Sequence, residues 1–128
     1  MRLLRLVCVC LALSACSSSS SSNNKSNAPP IIDDLSIPTT ATATGGVYTV
    51  KGTITVHDTD DAVSKMHIHI AGANDLPDKE FPGGFTQGTA EVILEVAAHA
   101  GTTLNYEVTV IDASGTSSAP VQGSVELK

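Results

Sequence analysis

The sequence predicts an all-β domain, an antiparallel β-sandwich of six or seven strands, over residues 30–128. Three observations carry this expectation. Apolar residues recur at every second position in successive short runs. Gly, Pro, Asp and Asn fall between those runs, where turns are needed. No window holds a 3.6-residue apolar period, so helices are short or absent.

The runs follow in order. A first strand is expected at 30–37. In 47–57, Tyr48, Val50, Ile54 and Val56 face one way, and Thr49, Lys51, Thr53, Thr55 and His57 the other. In 63–71, Met66, Ile68 and Ile70 alternate with Lys65, His67 and His69. In 87–97, Ala90, Val92, Leu94 and Val96 alternate with Glu91, Ile93 and Glu95. In 103–112, Leu104, Tyr106, Val108 and Val110 alternate with Asn105, Glu107, Thr109 and Ile111. A last strand at 118–127 carries Val121, Val125 and Leu127. The connector 72–86 has to run the height of the sandwich. It holds Pro77, Pro82, Gly83 and Gly84, so a strand within it should be short and lie at a sheet edge. Phe81 and Phe85, the only phenylalanines, should pin it to the core.

The stretch Tyr106-Glu107-Val108-Thr109-Val110-Ile111-Asp112-Ala113-Ser114-Gly115 resembles the F strand and F–G turn of immunoglobulin-like and fibronectin-type-III-like bacterial domains. The resemblance implies an immunoglobulin-like sandwich. It also implies a tyrosine-corner role for Tyr106, with its hydroxyl bonded back to nearby backbone. There is no cysteine pair and no tryptophan in this region, which excludes an antibody-type domain.

The start of the chain is of another kind. Arg2 and Arg5 precede an apolar run at 6–13, within the roughly 7–15 residues of a signal-peptide core. That run is far shorter than the roughly 20 residues needed to span a bilayer as a helix. Leu13-Ser14-Ala15-Cys16 resembles the lipobox of bacterial lipoproteins. The resemblance implies a signal peptide at 1–15, cleavage before Cys16, lipidation of that cysteine (diacylglyceryl on sulfur, usually a further acyl group such as palmitate on nitrogen) and a membrane anchor. Two or three acyl chains hold stably where one does not, at about 0.8 kcal/mol per buried CH₂. An ordinary secretory signal is the alternative, but no A-x-A-like cleavage site is evident near Ala15. Ser17 after the cysteine, by resemblance to enterobacterial sorting, implies the outer membrane of the cell envelope, with the periplasmic or surface side left open.

Residues 16–29 read as a flexible linker. The serine run 17–22 and Asn23-Asn24-Lys25-Ser26-Asn27 offer nothing to bury, so disorder is expected. About 12 such residues reach roughly 20 Å in the root-mean-square sense. Cys8 and Cys10 lie in the apolar run and no cysteine follows Cys16, so the domain is stabilised without a disulfide.

From Cys16 onward the chain holds five lysines, no arginine and all thirteen carboxylates. Such a surface is a poor match for nucleic acid, whose phosphates need clustered Lys or Arg. It is equally poor for anionic lipid, which leaves the acyl chains as the membrane contact.

Two constellations point to metal chemistry. In a sandwich, the start of the first strand, the loop between the 47–57 and 63–71 runs (the B–C loop) and the loop between the 103–112 and 118–127 runs (the F–G loop) share one end. That end collects Asp33, Asp34, Asp58, Asp60, Asp61 and Asp112. Clustered carboxylates on loops suit a hard cation such as Ca²⁺. The competing expectation is that Asp58 and Asp112 form Asx-turns that end their strands. The second constellation is His67 and His69, two apart on one strand face, with Glu107 on the neighbouring strand. That set suits Zn²⁺ or Cu²⁺, and the competing expectation is a solvated strand face. His57 should sit in the opposite sheet.

Catalytic patterns are missing from the sequence: no Gly-x-Ser-x-Gly, no phosphate loop and no His-Glu-x-x-His. No catalytic residue is assigned. Two tyrosines, two phenylalanines and no tryptophan leave few aromatics for stacking sugars. The sequence therefore points to a membrane-anchored envelope lipoprotein with a non-catalytic immunoglobulin-like interaction or structural module. Its partner would be a protein or an envelope polymer, and no cofactor is required. The alternative is a metal-binding envelope protein, using Ca²⁺ at the acidic end or Zn²⁺/Cu²⁺ at the histidine pair.

Overall fold

The computed structural model describes residues 27–73 and 75–128. The expected signal peptide, Cys16 and most of the expected linker lie outside the described residues. The described chain is all-β, in two sheets packed face to face, with no helix.

The nine strands are β1 (Ile31–Ser36), β2 (Thr40–Ala41), β3 (Ala43–Thr44), β4 (Val47–His57), β5 (Val63–Ile70), β6 (Lys79–Phe85), β7 (Gln87–Val96), β8 (Thr103–Asp112) and β9 (Val121–Leu127). In the first sheet β4 is central. β7 pairs with it over its length, from Tyr48↔Val96 to His57↔Gln87. β1 and β3 share its other edge. The second sheet has the order β2-β9-β8-β5-β6.

The alternation seen in the sequence sets the register. Val50, Ile54 and Val56 of β4, Val92 and Leu94 of β7, Val108 and Val110 of β8, and Val125 and Leu127 of β9 are buried between the sheets. Each such aliphatic side chain contributes about 1.5–3 kcal/mol on leaving water. β5 breaks its alternation once. The β5–β8 register shifts between Val63 and Lys65, so Val63 and Met66 both face the core. Ser64 Oγ stabilises this bulge by donating to the carbonyls of Ile111 and Asp112, at 3.1 and 3.0 Å.

The chain changes sheets between β1 and β2. β1 pairs with β4 in one sheet, and β2 runs parallel to β9 in the other. The crossing backbone passes directly over Gly52. A Cβ there would lie 2.3 Å from Ser36 O and 2.9 Å from Ile37 Cγ1, so position 52 has room only for glycine.

Three details differ from the sequence expectation. β6 is a full strand of seven residues, although it does lie at the sheet edge. Pro82, Gly83 and Gly84 fall inside its register break, where no ladder bond is lost. β2 and β3 are two-residue strands, too short for periodicity to signal. Tyr106 does not act as a corner tyrosine; its ring lies across Gly123 on β9. Phe81 and Phe85 pack against the core as expected, edge to face, with centroids 5.1 Å apart.

Candidate functional site

The acidic end is built by two strand-ending aspartates. Asp58 follows β4, and its Oδ1 accepts the backbone N–H groups of Asp60 and Asp61, both at 3.0 Å. Asp112 ends β8, and its Oδ1 accepts Thr116 N–H at 2.8 Å and Ser114 Oγ at 2.7 Å. Both are buried. The B–C loop and F–G turn meet here, as Ala113 N–H donates to Ala62 O and Asp112 pairs with Val63.

The incoming chain is clasped to the same end. Asn27 Nδ2 donates to Asp112 Oδ2 at 2.9 Å and to Thr116 Oγ1 at 2.7 Å, and it contacts Ser114 Oγ. Ala28 N–H donates to Asp60 Oδ2 at 2.9 Å. Asp61 Oδ1 receives Ala62 N–H, and Asp33 pairs with His57 Nδ1 at 2.8 Å. The carboxylates are thus directed at backbone amides, Asn27 and His57. Asp58 Oδ2 is buried without a hydrogen-bond partner. Burial disfavours the charged form of Asp112, but hydrogen bonds from Ser114, Thr116 and Asn27 outweigh it and hold its carboxyl below the ordinary value.

The histidine pair lies on the outer face of β5. His67 and His69 share that face, as the alternation requires. Each has a carboxylate from the loop that follows β5. His67 Nδ1 meets Asp78 Oδ1 at 2.7 Å, and His69 Nδ1 meets Asp75 Oδ1. Lys65 Nζ stands 3.4 Å from Asp78 Oδ2. The bond with His67 is the main reason the Asp78 carboxyl is held below its usual value. Glu107 is the cross-strand neighbour of His69, but its Oε2 is bonded to Gln122 Nε2 at 2.8 Å. His57 belongs to the other sheet. Among the described residues, no three His, Cys, Asp or Glu side chains are gathered to hold one metal ion.

Sequence reasoning missed four residues that matter here: Asn27, Asp75, Asp78 and Lys79. Asp75 and Asp78 act across a loop, and Asn27 and Lys79 across the fold, where spacing carries no signal. Lys79, at the start of β6, reaches to the other sheet and donates to the carbonyl of Glu91 on β7 at 2.6 Å.

Neither a protein-family model nor a curated protein sequence matches the chain. Solved structures do. The PKD domain of an M14-like peptidase from Thermoplasmatales archaeon SCGC AB-540-F20 is 20% identical, with a TM-score of 0.55 over 79% of this chain and 97% of that one. The fibronectin(III)-like modules of Clostridium thermocellum CbhA are 18% identical, with a TM-score of 0.50 over 74% and 97%. The SrpA adhesin of Streptococcus sanguinis (its R347E mutant) is 12% identical, with a TM-score of 0.52 over 78% of this chain and 57% of that one. The fold is an immunoglobulin-like sandwich. At these identities the likeness establishes the fold, and function has to be argued from the chain's own surface.

Proposed function

We propose that the chain is a lipid-anchored lipoprotein of the bacterial cell envelope, tethered through Cys16, whose sandwich is a non-catalytic interaction or structural module. Its partner is a protein or an envelope polymer. The observation that carries this reading is the clasp of Asn27 and Ala28 onto Asp112, Thr116 and Asp60. It fixes the end at which the linker enters the domain. A pull on the tether is then delivered to the F–G turn and B–C loop, and both sheet faces and the opposite end stay presented outward. The lipobox-like Leu13-Ser14-Ala15-Cys16 and the serine-rich linker supply the anchor. The outer membrane is the destination that Ser17 favours.

Mass spectrometry of the mature protein tests the anchor. The expected product begins at a diacylglyceryl-modified, acylated Cys16, and Cys16→Ala should yield uncleaved precursor or released protein. A mature chain beginning at any other, unmodified residue overturns it. Affinity capture from envelope extracts tests the module.

One observation favours a second reading. Asp58 Oδ2 is buried without a hydrogen-bond partner, and a bound Ca²⁺ would satisfy it. Millimolar Ca²⁺ should then raise the melting temperature, since ligand binding stabilises by RT ln(1 + [L]/Kd). The histidine pair, bonded to Asp75 and Asp78, is titrated with Zn²⁺ and Cu²⁺ in the same way.

A further inference from the structure

The outer edge of β7 has no strand on it among the described residues. The backbone groups that face that edge follow from the pairing with β4. Asp58 N–H donates to Thr86 O, which makes His57↔Gln87 a non-hydrogen-bonded pair. Every second residue of β7 is then non-bonded to β4. So Thr89, Glu91, Ile93 and Glu95 point their N–H and C=O groups away from the sheet. Lys79 independently confirms the phase, because it reaches Glu91 O from outside.

The same four residues are exposed, so one strip of β7 presents both outward-facing hydrogen-bonding groups, of which Lys79 occupies Glu91 O, and the side chains Glu91, Ile93 and Glu95. Beside it, Leu76 and Pro77 with Ile93 and Glu95 bound a shallow cleft of about 430 Å³. Lys79 covers one carbonyl of the strip and leaves Ile93 and Glu95 uncovered by it.

We propose that this edge docks an extended segment of a partner protein by strand addition, and that the segment carries basic, apolar and basic residues at alternate positions. The proposal rests on the interaction-module reading and names the site and the partner's chemistry. Side chains of an added strand that stand opposite Glu91, Ile93 and Glu95 share their face. Lys or Arg opposite each glutamate and an aliphatic residue opposite Ile93 make three matched cross-strand pairs. The intervening side chains point toward Leu76 and Pro77, which favours small apolar residues there. A second copy of this chain is a poor occupant. Antiparallel pairing centred on Ile93 would set Glu91 against Glu95 twice, and like charges directly opposite are destabilising.

The test uses the full chain and two fluorescein-labelled peptides, Thr-Lys-Val-Val-Val-Lys-Thr and its Glu-for-Lys counterpart, with anisotropy and amide hydrogen exchange as readouts. The lysine peptide should bind about tenfold or more tighter than the glutamate peptide, because its two lysines pair with glutamates where the other peptide sets like charges opposite. It should protect the amides of Glu91, Ile93 and Glu95. The double variant E91K/E95K should reverse the preference. Ile93→Pro removes an N–H that faces the open edge and not β4, so it should stay folded by thermal melting and lose the lysine peptide. Equal binding of the two peptides, no binding of either, a preference that survives E91K/E95K, or protection elsewhere overturns the proposal. So does concentration-dependent self-association of the wild type that Ile93→Pro abolishes. A partner captured from envelope extract equally by wild type and Ile93→Pro would overturn this edge as the site and leave the interaction-module reading intact.

Discussion

Tyr106 fills the space that a side chain at position 123 would need. A Cβ on Gly123 would stand 2.2 Å from the Tyr106 hydroxyl and 2.4 Å from Cζ. The two residues are direct cross-strand partners on β8 and β9, and the ring lies over the glycine on the inner face of the sheet. The phenol is largely withdrawn from water, which pushes its pKa above the ordinary value.

Gly123→Ala should therefore cost about 1–3 kcal/mol, because the ring is boxed into the core and has to shift. Replacing Tyr106 by leucine should itself destabilise, but in that background Gly123→Ala should cost much less. A double-mutant cycle by urea denaturation measures this coupling, expected to exceed about 0.5 kcal/mol. Additive losses would contradict the contact.

Gly52→Ala should be the more damaging glycine replacement. Its Cβ meets backbone, Ser36 O at 2.3 Å, and not the tip of a side chain. Relief requires the β1–β2 crossover to lift off β4. The loss should reach about 3 kcal/mol or more. Hydrogen exchange should then show β1 opening before β4 and β7, and unchanged exchange in β1 would place the strain elsewhere.

The register of β8 is tested at two adjacent residues. Val108 is fully buried, so Val108→Ala should cost about 1–3 kcal/mol through lost burial and a cavity. Glu107 leaves the opposite face and bonds to Gln122 in water, so Glu107→Ala should cost less than about 1 kcal/mol. Urea midpoints of the two variants compare them directly, and similar losses would mean a shifted strand.

Much of the sandwich was legible because period-two alternation is a local signal that burial then obeys. Val50, Ile54 and Val56 point where the pattern put them, and β4, β7 and β8 match the expected limits to within a residue. The Asx-turns at Asp58 and Asp112 were legible for the same reason, since each bonds to backbone within a few residues. What spacing could not give is contact across the fold. Asn27 meets Asp112, and Lys79 meets Glu91, only because strand order brings distant segments together. β6 was underestimated because Pro82 and two glycines weigh against a strand, whereas an edge position with a register break accommodates them.

The acidic end yields a prediction in which the sign of a pKa shift decides the outcome. The carboxyls of Asp112 and Asp78 both lie below their ordinary values in the folded chain, Asp112 because its hydrogen bonds outweigh its burial, Asp78 chiefly through His67. A depressed folded pKa adds stability that is fully present above the unfolded value, about 3.9 for aspartate, and is lost as pH falls through the folded value. Melting temperature should accordingly fall below about pH 4. Asp112→Asn should keep the acceptor for Thr116 N–H but set an amide against Asn27 in place of a carboxylate. It should cost about 1.5–3 kcal/mol at pH 7, the range for hydrogen bonds to a charged group. It should also flatten the acid limb, since residue 112 then no longer titrates. Asn27→Ala should reproduce part of the loss at pH 7 and release the entering chain, seen as faster amide exchange at Ala28. These curves are to be taken with and without millimolar Ca²⁺. Curves that coincide with and without the ion, for both wild type and Asp112→Asn, would remove the calcium reading. A wild-type rise that Asp112→Asn abolishes would establish it.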